Sequence, residues 1–237
     1  MIGAYIAVVF GVAVWSLMTL VGRKIPDGVM RGVTVFGGAF LLGVCVLGLL
    51  PEATETSTLN TQHLTLNTGF CILAGFLIQQ LLEALSAHAE HGHVEDHGAG
   101  VPVLGLMLGL CLHAFLEGMP LVEMDGSVNS GLLFGILIHN IPVALILVAL
   151  LTAHRMSFWK VLTLLTIFGL MSPMGSLFNL YLVQPNEEQQ RMIIGLVIGV
   201  LLHVSSSILF DHKQHGFSWL NFALCLVAFA AAFLTVH

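Results

Sequence analysis

The chain has 237 residues and a formal net charge of −6; only 8% of its residues are Asp, Glu, Lys or Arg, whereas 57% are hydrophobic. A soluble domain carries roughly 25% charged residues, so these few charges cannot cover a water-soluble fold of this size. We therefore expect the lipid bilayer to be the solvent. The acidic balance argues against a nucleic-acid partner and favours cations.

Eight continuous apolar stretches follow one another along the chain, each close to the roughly 20 residues that a membrane-crossing helix needs. Because the runs are continuous rather than alternating, they predict helices and not barrel strands. The predicted fold is an all-α, polytopic membrane bundle of eight transmembrane helices, forming a single domain over residues 1–237. The predicted spans are 2–22, 33–51, 68–87, 101–122, 130–153, 159–182, 191–211 and 217–236.

Basic residues in the loops predict the orientation, because cytoplasmic loops carry an excess of Lys and Arg. Arg191 is the only basic residue of the even-numbered loops. The basic residues of the odd-numbered loops are Arg23, Lys24, Arg31, Arg155, Lys160 and Lys213. The odd loops are therefore expected in the cytoplasm and both termini outside. No signal-peptide cleavage site follows the first span, and we expect a bacterial inner membrane.

The third loop, residues 88–100, is rich in histidine and acidic side chains. On the cytoplasmic side it would receive or sense metal that leaves the membrane, with a solvated polar linker as the alternative. Its candidate ligands are His88, His91, His93 and His97.

Ionisable side chains inside the spans are functional candidates, because they are costly in lipid and usually face the bundle interior. His113, His139 and His203 lie near the middle of the fourth, fifth and seventh spans, within a few ångströms of one membrane level. Glu117 shares a helix face with His113, since the two are four residues apart. Hydrogen bonding between helices is the structural alternative for any one histidine. Three histidines at one membrane depth, together with a carboxylate, favour a metal site.

The fourth and fifth spans read 113-HAFLEGMP-120 and 139-HNIPVA-144. These segments resemble the paired signatures of the ZIP family of divalent-metal transporters, His-x-x-x-Glu/Asp-Gly on the fourth helix and His-x-x-Pro on the fifth. The eight-span topology, the His-rich third loop, 47-LGLLPEA-53 and 172-SPMG-175 agree with that family. The resemblance implies that His113, Glu117 and His139 match the family's primary metal site, with Asn140 as a weaker oxygen ligand.

The chain also departs from the family's pattern. Val143 and Ala144 follow the proline of the fifth span, where many members carry a carboxylate, and Ile208 is apolar where many have a carboxylate or histidine. One principal ion is therefore expected rather than two bridged ions. His203 is assigned from its depth alone, at a position where many members have tyrosine.

Three imidazoles and one carboxylate suit tetrahedral Zn²⁺ and also Fe²⁺, Co²⁺, Ni²⁺ or Cd²⁺. The predicted function is transport of a divalent metal, zinc first, towards the cytoplasm by alternating access. Glu52 is a candidate for the entrance, and Asp211 and His212 for the exit. A membrane-embedded zinc hydrolase with a three-His site and a metal-independent proton-coupled carrier are the alternatives; no His-Glu-x-x-His is present. Proton coupling and a homodimer stay open.

Overall fold

The computed structural model describes residues 1–20, 26–54, 61–85, 103–210 and 218–236. Within these ranges the chain forms eight main helices, which confirms the predicted all-α bundle. In chain order they are α1 (Ile2–Leu20), α2 (Asp27–Val44, continued by a π-helical turn Cys45–Leu49 and by Leu50–Thr54), α3 (Thr61–Leu85), α4 (Val103–Gly118), α5 (Ser130–Ala153), α6 (Phe158–Leu177, continued by a π-helical turn Phe178–Val183), α7 (Glu187–Phe210) and α8 (Trp219–Val236).

Three helices begin earlier than the predicted spans did. The sequence predicted starts at 33, 68 and 191, whereas the structure starts α2 at Asp27, α3 at Thr61 and α7 at Glu187. Hydropathy marks only the residues that suit the hydrocarbon layer, while backbone hydrogen bonds continue a helix through polar residues at the interface. These three helices therefore extend beyond the apolar stretches from which their starts were predicted.

The outer surface of the bundle is apolar. Among the described residues, six helices are long and apolar enough to cross a membrane, and α1 adds a shorter apolar stretch, Ile2–Val14. Large side chains such as Phe10 and Trp219 are 66% and 77% exposed. An apolar surface of this extent is stable against lipid tails and not against water, so the chain is an integral membrane protein.

Glycines bring two pairs of helices into close backbone contact. At four positions an added Cβ would overlap the backbone of the facing helix, so only glycine allows the observed approach. These contacts join α3 to α7 through Gly75 with Leu196 and Gly199 with Ile72, and α4 to α6 through Gly118 with Ser172 and Gly175 with Phe115. The second pair matters for the site described below, because Gly118 follows Glu117 directly.

The buried apolar side chains form two clusters, and α5 contributes to both. Leu132 and Ile136 belong to a cluster with α2, α7 and α8, whereas Val143 and the residues after it belong to a cluster with α4 and α6. His139 and Asn140 lie on α5 between these two groups and are themselves buried. The polar centre of the bundle therefore sits where the two apolar clusters meet.

Candidate metal centre

A short connection makes α4 and α5 antiparallel. α4 ends in a 3-10 turn, Met119–Leu121. Val122 then pairs with Val128 in an isolated antiparallel bridge, and Gly126 closes the turn between them with a φ of 86°, a conformation that glycine adopts at little cost. The end of α4 and the start of α5 therefore lie at the same end of the bundle.

The start of α5 sets the depth of its histidine. Asn129 caps the helix, because its Oδ1 accepts a hydrogen bond of 3.0 Å from the backbone N–H of Leu132. At about 1.5 Å per residue, His139 lies about 14 Å along α5 from its first residue, and His113 lies about 12 Å from Leu121, the last residue of the 3-10 turn that follows α4. The two histidines are thus level, as the sequence predicted.

His113, Glu117 and His139 form a buried group with exposed fractions of 1%, 0% and 3%. Nε2 of His113 lies 3.4 Å from Oε2 of Glu117, and the two imidazole centroids are 5.6 Å apart with their planes at 73°. One ligand atom from each residue lies within 4.8 Å of the others. The group offers two nitrogens and one oxygen around a common point, a donor set that Zn²⁺ accepts readily.

Several polar atoms of this centre form no hydrogen bond with the residues that the structure describes. They are Nε2 of His113, Nδ1 of His139 and Oδ1 of Asn140, and all are buried. Buried polar atoms are nearly always paired, since an unmet donor or acceptor costs about 1–3 kcal/mol. A cation in the centre would bind the lone pairs of His113, His139 and Asn140, so the centre can hold a metal ion.

Two side chains of this centre were not predicted from the sequence. Gln79 on α3 lies with Oε1 2.9 Å from Nδ1 of His113, and the Ser172 hydroxyl of α6 donates a hydrogen bond of 3.4 Å to Oε1 of Glu117. Gln79 had a usable signal, because it is polar and lies deep in an apolar span. Ser172 lies within the 172-SPMG-175 segment, which resembles a family motif but was not predicted to belong to the metal site.

The structure places His203 outside the group of three. Its Nδ1 lies 3.5 Å from Oε2 of Glu83 on α3, and its ring packs edge-on against Phe76 with 4.7 Å between centroids. Its role as a ligand of the ion stays a prediction.

An acidic vestibule lies at the end of the bundle where α4 ends and α5 begins. Glu52, the candidate entrance residue, lines two adjacent cavities together with Glu123, and the larger cavity adds Asp125 and Glu187. The Ser127 side chain and backbone donate hydrogen bonds that lower the pKa of the Asp125 carboxyl, so the carboxylate stays charged. The larger cavity measures about 660 Å³. Six waters need roughly 180 Å³, so a hydrated ion fits.

Two sets of predicted residues lie outside the described residues. They are the loop histidines His88, His91, His93 and His97, and the exit candidates Asp211 and His212. Their assignments stay predictions.

Comparison with known proteins identifies the family. The family model described as ZIP Zinc transporter matches residues 84–236, more than half of the chain, and this segment contains all three residues of the buried group. This chain belongs to the ZIP zinc transporter family. Zinc transporter ZIP1 of Danio rerio is 21% identical over 242 residues, which cover 82% of this chain and 80% of that protein. The predicted family is thereby confirmed. This ZIP protein is a transporter and not an enzyme, so the hydrolase alternative is set aside.

Proposed function

We propose that this ZIP protein carries Zn²⁺ through the membrane and binds it at His113, Glu117 and His139. The observation that carries the proposal is the distance of 3.4 Å between Nε2 of His113 and Oε2 of Glu117. Two ligands of a tetrahedral zinc with bonds of about 2.1 Å are themselves about 3.4 Å apart. The pair on α4 therefore has the separation of two zinc ligands without any movement.

The third ligand completes the site from the facing helix. His139 lies within 4.8 Å of the other two ligand atoms, so a shift of little more than about 1 Å brings it to tetrahedral distance. Asn140 follows it in sequence and offers a buried Oδ1 as a weaker fourth ligand. α4 packs mainly against α6 and α3, whereas α5 packs mainly against α1 and α2 and shares a smaller apolar contact with α4 and α6. The two halves of the site therefore have their main contacts in different helix groups, whose relative movement would change the number of ligands.

Alternating access is the mechanism that we propose for this arrangement. A transport site must remove water from the ion and still release it, which a rigid site with four protein ligands does poorly. Separation of α5 from α4 would withdraw His139 and leave the ion on the weaker pair, His113 and Glu117. The ion would arrive from the outer, acidic vestibule that contains Glu52 and Glu123.

We propose that the ion leaves towards the cytoplasm. Glu83 and His203, at 3.5 Å from each other, lie on the inner side of the group in the orientation that the positive-inside bias predicts. They would contact the ion after it leaves His113. The loop histidines and the pair Asp211 and His212 would follow, as the sequence analysis proposed.

Zn²⁺ is the preferred cargo because the donor set is mixed nitrogen and oxygen with few oxygens. Mg²⁺ and Ca²⁺ need six or more oxygen ligands, which this centre does not offer among the described residues. Fe²⁺, Co²⁺, Ni²⁺ and Cd²⁺ tolerate the same ligands and are expected as competing cargo.

Uptake by purified protein in liposomes tests this proposal. Vesicles with a trapped zinc-sensitive dye should take up external Zn²⁺, whereas protein-free vesicles and vesicles that carry His113→Ala should not. Excess Mg²⁺ outside should leave the rate unchanged, and excess Cd²⁺ should reduce it. Equal uptake by wild type and His113→Ala would refute the site, and absence of uptake by wild type would refute the transport proposal.

A further inference from the structure

Gln79 is a buried amide with a specific partner in the metal centre. Its exposed fraction is 0%, and its Oε1 lies 2.9 Å from Nδ1 of His113. An amide oxygen only accepts hydrogen bonds, so the proton of this bond belongs to Nδ1 of the imidazole. Gln80, the next residue on α3, is exposed and makes no such contact among the described residues.

The position of that proton decides which nitrogen can bind a metal. A neutral imidazole has one N–H and one lone pair, and the hydrogen bond made by one nitrogen sets the role of the other. With the proton on Nδ1, the lone pair of His113 is on Nε2. Nε2 faces the Glu117 carboxylate at 3.4 Å. In this tautomer no proton lies between these two atoms, and a cation there would be attracted by both.

From these contacts we infer that Gln79 is a positioning residue for zinc. It holds His113 in the tautomer whose Nε2 lone pair points at the site, and it fixes the plane of the ring. The inference rests on the proposed zinc site. It adds α3 to the helices that build this site, because Gln79 on α3 orients the imidazole of His113 on α4. Gln79 does not itself bind the ion in this account.

The packing of α3 explains why this side chain reaches the centre. Gly75, one turn before Gln79, touches the backbone of α7 at Leu196 so closely that no larger residue fits. α3 also packs against α4. With its backbone held in this way, α3 presents the face of Gln79 to His113. A buried amide in a membrane interior is costly. Oε1 of Gln79 has His113 as its partner, but Nε2 has none among the described residues, and placing the amide there despite this cost favours a functional role.

Three variants separate this role from a packing role. Gln79→Leu has similar volume and no acceptor, Gln79→Glu keeps an acceptor at the same distance, and Gln80→Leu is the matched control on the exposed face. Zinc dissociation constants of the purified proteins in detergent are measured by calorimetry. We expect Gln79→Leu to raise the dissociation constant by about 10–100-fold, the range seen when an outer partner of a ligating histidine is lost. Gln79→Glu should restore most of that loss, and Gln80→Leu should match wild type.

A second readout reports the tautomer itself. Imidazole ¹⁵N chemical shifts of histidine-labelled, metal-free protein near neutral pH distinguish N–H from lone-pair nitrogens, and His113 is assigned from the signal that disappears in His113→Gln. Wild type should show the proton on Nδ1, and Gln79→Leu should show a mixture of tautomers. This wild-type measurement decides the inference even if Gln79→Leu fails to fold.

Two results would overturn the inference and leave the proposed function intact. One is wild-type zinc affinity in folded Gln79→Leu, and the other is a proton on Nε2 of His113 in the metal-free wild type. If wild type itself binds no zinc, or if Glu117→Gln binds it normally, the proposed site fails instead.

Discussion

Replacing Glu117 with glutamine should remove most of the zinc affinity while it preserves the shape of the side chain. Glu117 is the carboxylate among the three grouped residues and is fully buried, 3.4 Å from Nε2 of His113. The carboxylate and a bound Zn²⁺ would form a buried charge pair, and loss of one member of such a pair costs about 3–5 kcal/mol. At 1.4 kcal/mol for each factor of ten, the zinc dissociation constant should rise by about 100- to 4,000-fold.

The fold should tolerate this change in the absence of metal. Oε1 of a glutamine still accepts the hydrogen bond from Ser172, and removal of a buried charge lowers the cost of placing the side chain in the membrane. Calorimetry gives the affinity, dye-filled liposomes give the uptake, and thermal unfolding in detergent checks the fold. Glu188→Gln, on an exposed residue at the start of α7, is the control. Folded Glu117→Gln with wild-type affinity and uptake would refute the argument from charge.

Three further results follow from the site and its packing. Deletion of residues 88–98 should change the apparent affinity or rate of uptake by a few-fold without stopping it, since the sequence predicts a loop there and a loop can be removed without loss of packing; a correctly inserted but inactive deletion would contradict this. His203→Tyr should weaken zinc binding by about 10-fold or more if its imidazole contacts the ion, and unchanged binding and uptake would leave it as a packing partner of Glu83. Gly118→Val should lower the unfolding temperature and abolish uptake, because its side chain would overlap the backbone of Ser172; Gly3→Val, at a glycine with open space around it, should match wild type in both assays.

The number of helices and the common level of His113 and His139 could be predicted from the sequence because both follow from linear spacing. Apolar runs of sufficient length mark the spans, and counting residues from a shared loop places His113 and His139 at one depth. Glu117 joins them because residues four apart share a helix face. These rules need no knowledge of which helices are neighbours.

The parts of the site that could not be predicted from the sequence depend on which helices are in contact. Gln79 reaches His113 only because α3 packs against α4, and hydropathy does not report helix pairing. Depth alone likewise did not indicate that His203 lies beside Glu83 of α3, and its assignment as a ligand stays a prediction. The depth of a polar residue in the membrane therefore indicates whether it is a candidate for the site, but it does not indicate which side chains the residue contacts.

The central claim is that one zinc ion binds between α4 and α5, and an anomalous difference map measured at the zinc absorption edge tests it most directly. Crystals of the protein grown with Zn²⁺ should show a strong peak within about 2.0–2.2 Å of Nε2 of His113, a carboxylate oxygen of Glu117 and a ring nitrogen of His139. Crystals of Glu117→Gln grown in the same solution should lack it. A zinc peak elsewhere in the membrane region, with none between these three side chains in wild-type protein that transports zinc, would contradict the account.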